Sequence, residues 1–112
     1  MPYQSTELPK LFHALADPTR FAVVAQLAQG PSSMTALARP FDMALPSFSQ
    51  HLKVLEDCGM VRSSKSGRVR TYELQPKALE VAEHWLGVHR RRWETRLDQL
   101  DDYLKTLKEE PK

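Results

Sequence analysis

Apolar residues recur every three to four positions through most of the chain, and the breaks in that rhythm fall at proline and glycine. Leu8, Leu11, Phe12 and Leu15 predict a first amphipathic helix, with Thr6 as its cap. Pro9 is tolerated there, because the N–H groups of a first turn have no helical partner in any case. Asp17-Pro18 restarts the chain: aspartate is a good cap and proline fits the first helical position. A second helix follows, with Phe21, Val24, Ala25 and Ala28 as its expected buried face and Gly30-Pro31 as its end. Ser32 or Ser33 caps a third helix that turns Met34, Leu37 and Ala38 inward, and Pro40 ends it early by removing a backbone donor. Residues 41–45 form a turn into a fourth helix over Pro46 to Asp57, whose Phe48, Leu52 and Leu55 fall at i, i+4 and i+7 on one face. Helix, short turn and helix make a helix-turn-helix.

Beyond the turn at Cys58 and Gly59 the pattern changes. Met60 to Ser64 and Arg68 to Leu74 predict two strands, and Ser66-Gly67 supplies the backbone freedom of a tight hairpin. Gln75-Pro76 then opens a final helix running almost to Lys108. In it Leu79, Leu86, Trp93, Leu100 and Leu107 recur at every seventh residue, and Leu97 and Leu104 add the second row of a heptad. The leucines up to Leu86 are expected to pack on their own domain. From Trp93 on, the seam exceeds what so small a domain can cover and suits a second subunit. Gly87 and the run His89-Arg90-Arg91-Arg92 predict a break or kink between the two parts. The expected fold is mainly α with a small β-hairpin wing, a winged helix-turn-helix. It is expected to form one domain over 1–112, with a DNA-binding core over 1–74 and a dimerisation helix over 75–112.

Length and composition agree with that picture and remove others. A chain of 112 residues suits a single domain, and no apolar run is long enough to span a bilayer. The segment MPYQSTELPK lacks the basic and apolar regions of a secretory signal, so a cytoplasmic protein is expected, with no membrane partner. The single cysteine, Cys58, excludes an intrachain disulfide and any Cys-x-x-Cys site. There is no Gly-rich phosphate loop and no recognisable nucleophile, base and acid set, so neither an enzyme nor a bound cofactor is expected.

The net charge of +2 is too small to specify a polyanionic partner, but its placement is informative. Between Leu52 and Tyr72, Lys53, Arg62, Lys65, Arg68 and Arg70 outweigh Glu56 and Asp57, while the tail from Glu94 is richer in acids. The fourth helix turns Ser47, Gln50, Lys53 and Val54 outward, with Ser49 and His51 on its flanks. Such a surface can read a major groove: Gln50 can address adenine, Ser47 can donate or accept, and Val54 can touch a thymine methyl. His51 can reach a base or a phosphate, and Lys53, Lys65, Arg68 and Arg70 can neutralise phosphates. The expected function is a DNA-binding transcriptional regulator whose partner is double-stranded DNA. The rival from another class is a winged-helix module that binds protein through its heptad tail, and the basic wing argues against it.

Several spaced motifs also resemble one family. Ala14 to Arg20 (ALADPTR), Ser49 to Leu55 (SQHLKVL), Gly59-Met60-Val61 and Gly67 to Leu74 (GRVRTYEL) are similar, in the same order, to the ArsR-type winged-helix repressors. The resemblance covers about Phe12 to Leu74. It implies a homodimer joined by its first and last helices, placing Leu8, Leu11 and Phe12 with Trp93, Leu97, Leu100, Leu104 and Leu107 at the interface. It further implies recognition helices on the two halves of an inverted repeat, and many members release DNA on binding a metal or metalloid. This chain departs from the metal-sensing members. Ser33-Met34-Thr35-Ala36-Leu37 stands where a thiolate sensor has a Cys-x-Cys type motif, and Glu80, Glu83, His84 and His89 lack the spacing of a last-helix site. No metal site is expected, a metal- or thiol-responsive repressor is the alternative, and the inducer is unknown. Ala44, where the family has a hydroxyl-bearing cap, cannot cap the fourth helix, and Pro46 partly compensates by fixing φ.

Overall fold

Residues 7–109 are described by the structure, a computed structural model; Thr6, the expected first cap, lies outside them. The elements follow in the order α1 (Glu7–Leu15), α2 (Pro18–Leu27), β1 (Ser32–Ser33), α3 (Met34–Ala38), α4 (Leu45–Asp57), β2 (Val61–Ser66), β3 (Val69–Leu74) and α5 (Pro76–Glu109). The chain divides into two compact units, one ending at Val81 and the other beginning at Ala82.

In the first unit α1, α2 and α4 pack against one another, and α3 and β3 close the arrangement from the side. Leu11 and Ala14 of α1, Val23 and Leu27 of α2, Leu37 of α3, and Phe48, Leu52 and Leu55 of α4 form the core with Met60, Val61, Tyr72 and Ala78. The Asp17 carboxylate accepts from the Arg20 backbone N–H at 3.0 Å, so α2 starts where the sequence places its cap. Its buried face differs from the expected one. Val23 and Leu27 point inward, whereas Phe21 is 62% exposed, Ala25 and Ala28 are exposed and Val24 is half-buried. The cause is that α2 carries apolar residues on several faces, so its own pattern does not fix which one the neighbouring helices cover.

The wing is larger than a hairpin. β2 and β3 pair antiparallel from Val61↔Leu74 to Ser66↔Val69, and β1 adds itself to the other edge of β3 through Ser32↔Tyr72 and Ser33↔Thr71. Ser33 thus ends a strand and also caps α3, its hydroxyl accepting from the Ala36 N–H at 3.1 Å. The loop between β2 and β3 is Gly67-Arg68, and only Gly67 has positive φ (62°), as a type II′ turn requires.

α5 is one unbroken helix of 34 residues, without the expected break at Gly87 to Arg92. A lone glycine costs a helix only about 1 kcal/mol, which the flanking helix formers offset. The expectation that Leu79 and Leu86 pack on their own domain also fails: both are exposed, and the residues that α5 buries are the small Ala78 and Ala82. The heptad row is therefore open along its whole length. Among the described residues no helix is long and apolar enough to cross a membrane.

Candidate nucleic-acid interface

α4 is anchored by one face and presents the other. Phe48, Leu52 and Leu55 are fully buried, and the Phe48 ring lies 5.4 Å from that of Phe41 in the preceding turn. The helix begins without a side-chain cap, as Ala44 dictates, and Pro46 occupies the first turn. Its end is closed by a Schellman motif. The Gly59 N–H donates to Glu56 O, the Met60 N–H donates to Leu55 O, both at 3.0 Å, and Gly59 takes a φ of 83°. This motif turns the chain directly into β2, which seats the wing beside the end of α4.

Ser47, Ser49, Gln50 and Lys53 are exposed and Val54 is half-buried. The face also includes an acid. Asp57, one helical turn after Lys53, lies on the same side and pairs with it at 3.8 Å. Both partners are exposed, so the pair is weak and Lys53 can exchange Asp57 for a phosphate.

His51 does not stand free on this face. Its Nδ1 lies 3.0 Å from an Arg20 guanidinium nitrogen and 3.7 Å from the Asp17 carboxylate. Arg20 in turn donates through Nε to Ala14 O at 2.8 Å and reaches His13 O at 3.5 Å. One arginine thus satisfies carbonyls at the end of α1 and holds the flank of α4. The inward edge of His51 belongs to this cluster and is removed from any contact with a base. The Asp17 carboxyl is held below the ordinary value of 3.8, first by the Arg20 backbone N–H and then by the charges of His51 and Arg20, against the opposing effect of desolvation. Its contribution to stability is present above that ordinary value and is lost as pH falls through the lower folded-state value. Asp17→Ala is expected to cost about 1 kcal/mol at neutral pH, read by thermal melting. The gap to wild type should narrow on acidification below pH 3.8. Equal melting at neutral pH would mean that the cap contributes nothing.

The wing divides its cations into held and free. Arg62 donates to Glu73 at 2.7 Å across the β2–β3 pair. Arg70 donates to the Ser63 hydroxyl, which donates to Glu56 of α4, each at 2.9 Å. Arg70 therefore braces the wing against α4 as well as adding charge. Lys65 and Arg68 stand exposed at the tip. Arg68, Val69 and Arg70 face Ser33, Met34 and Thr35 across a cleft of about 350 Å³, whose positive charge comes from the wing side alone.

A profile described as a helix-turn-helix domain matches residues 15–64, which is α2 through most of β2. The HTH-type transcriptional regulator Rv2034 of Mycobacterium tuberculosis is 43% identical over 70 residues, covering 62% of this chain and 65% of its own length. The biofilm growth-associated repressor of Agrobacterium fabrum is 33% identical over 84 residues, covering 74% of this chain and 72% of that protein. The crystal structure of an ArsR family transcriptional regulator, RHA00566, superimposes with a TM-score of 0.78 at 46% identity, covering 81% of this chain and 94% of the other. The chain belongs to the ArsR family. It spans about half to two thirds of the length of the curated mycobacterial relatives it matches.

Within this ArsR-family chain the remaining candidates sort by burial. Leu8 and Phe12 of α1 are half-buried, whereas Leu11 is only 1% exposed. Leu11 is covered by its own protomer and is withdrawn from the proposed subunit interface. Trp93, Leu97, Leu100, Leu104 and Leu107 are all more than half exposed, and Tyr103 joins them. Cys58 is buried, its thiol donating to Leu55 O at 3.4 Å, and burial pushes its pKa up. A thiol held in its protonated form is a poor nucleophile, which weighs against a thiol-responsive regulator. Among the described residues no three His, Cys, Asp or Glu side chains cluster as metal ligands would.

Proposed function

We propose that this ArsR-family chain is a transcriptional repressor that binds an inverted-repeat operator as a homodimer. The observation that carries the reading is the exposure of Ser47, Ser49, Gln50 and Lys53 on the outer side of a helix anchored by the buried Phe48, Leu52 and Leu55, next to a wing tipped by Lys65 and Arg68. A helix supported on one face and polar on the other fits a major groove, and a flanking basic hairpin adds phosphate contacts. Relatives named as repressors support the sign of regulation. The open heptad row on α5, together with Leu8 and Phe12 of α1, supplies the surface for a second copy. The wing arginines contribute charge that is independent of sequence, and Gln50 contributes choice of base.

Selection of bound fragments from a random DNA pool tests this reading and returns the half-site. Arg68→Ala should weaken binding to all sequences alike and lower the salt slope by about one unit per lost phosphate contact in each subunit. Gln50→Ala should relax one base position per half-site, costing about 1–3 kcal/mol on the preferred base. If both variants lose the same affinity on every sequence, α4 does not read the operator with this face.

A further inference from the structure

We propose that Arg20 is a positioning residue for DNA binding: it fixes the tautomer of His51, so that the outward Nε2–H of that ring donates to a phosphate oxygen of the duplex. The inference rests on the DNA-binding reading of α4 and adds to it a neutral backbone contact. A guanidinium carries only donors, so an Arg20 nitrogen 3.0 Å from Nδ1 requires that Nδ1 accept. In the neutral ring the proton then sits on Nε2, and that nitrogen is a donor. Asp17, the other charged group facing the ring, would favour a proton on Nδ1. It stands 3.7 Å away, beyond hydrogen-bond distance, and already accepts from the Arg20 backbone. Arg20 cannot easily swing aside, because Nε is tied to Ala14 O at 2.8 Å.

The side chain of His51 keeps 24% of its surface exposed. Nδ1 is turned inward, and the proposed contact uses the opposite edge of the ring, which carries Nε2. On the helix His51 neighbours Ser47 one turn before it and Val54 one turn after it, so this edge borders the reading face on its flank. A donor there meets the sugar-phosphate wall of a groove that α4 enters.

The test uses the full chain and separates the two claims. Long-range ¹H–¹⁵N correlation on the free protein, with the ring assigned by its loss in His51→Gln, should show the Nε2–H tautomer in wild type and a mixture in Arg20→Met. Glutamine places its amide nitrogen near the position of Nε2, whereas asparagine reaches only the position of Nδ1. His51→Gln should therefore keep near-wild-type affinity. His51→Asn should weaken binding to every duplex by about tenfold, the scale of one hydrogen bond in each subunit. The salt slope of His51→Asn should be unchanged, since a neutral donor displaces no counterion. Both variants remove the ring, so a folding defect would affect them together. An Nδ1–H tautomer in wild type, an unchanged tautomer in Arg20→Met, equal affinities of the two variants, or a reduced slope in His51→Asn overturns the proposal. Failure of wild type to bind any duplex, with the tautomer as expected, instead overturns the DNA-binding reading on which it rests.

Discussion

Phe48→Ala should lower the unfolding free energy by about 3–5 kcal/mol, the range for removing a large aromatic from a packed core. Phe48 is fully buried, lies against the Phe41 ring, and sits on the α4 face that also buries Leu52 and Leu55. Small domains are stable by only about 5–15 kcal/mol, and a loss of this size consumes much of that margin. Urea unfolding at fixed protein concentration, which holds any contribution from association constant, measures it. A loss under about 1 kcal/mol would mean that the first unit repacks around the missing ring.

Truncation after Arg92 should convert dimers to monomers, weakening association by more than about a thousandfold, the equivalent of two interface hot spots at about 2 kcal/mol each. The segment removed carries Trp93, Leu97, Leu100, Leu104 and Leu107, all more than half exposed along one side of α5. A protein in water seldom leaves so much contiguous apolar surface uncovered. Leu100→Lys in the full chain provides the matching test, because it keeps the helix and charges the middle of the row. Sedimentation velocity across a concentration series reads both variants. Dimers that survive both changes would place the interface on Leu8 and Phe12 without the tail.

The elements that the sequence disclosed are those whose signals are local. Asp17-Pro18 starts α2, Ser33 caps α3, Phe48, Leu52 and Leu55 phase α4, and Gly67 turns the hairpin, because each acts within a few residues of itself. What the local pattern does not determine depends on partners distant in the chain. The face of α2 is chosen by α1 and α4, which is why Val23 and Leu27 rather than Phe21 and Val24 went inward. β1 is two serines with no strand pattern, and it exists because β3 offers an open edge. In the candidate site, the exposed positions on α4 followed from helical phase alone. The Arg20–His51 contact joins residues 31 apart and left no trace in spacing. The Lys53–Asp57 pair is different: its four-residue separation on a helix is legible in the sequence and puts both charges on one side.

Both tryptophans of the chain, Trp85 and Trp93, lie on α5, and neither is buried. The elements before α5 therefore carry no indole, and the tryptophan emission of the protein comes from its terminal helix. A blue shift on concentrating the protein reports the covering of that helix with no added label. At concentrations where the protein is already fully associated, titration with duplex DNA leaves the same signal unchanged unless the helix itself responds, so one probe separates assembly from operator occupancy.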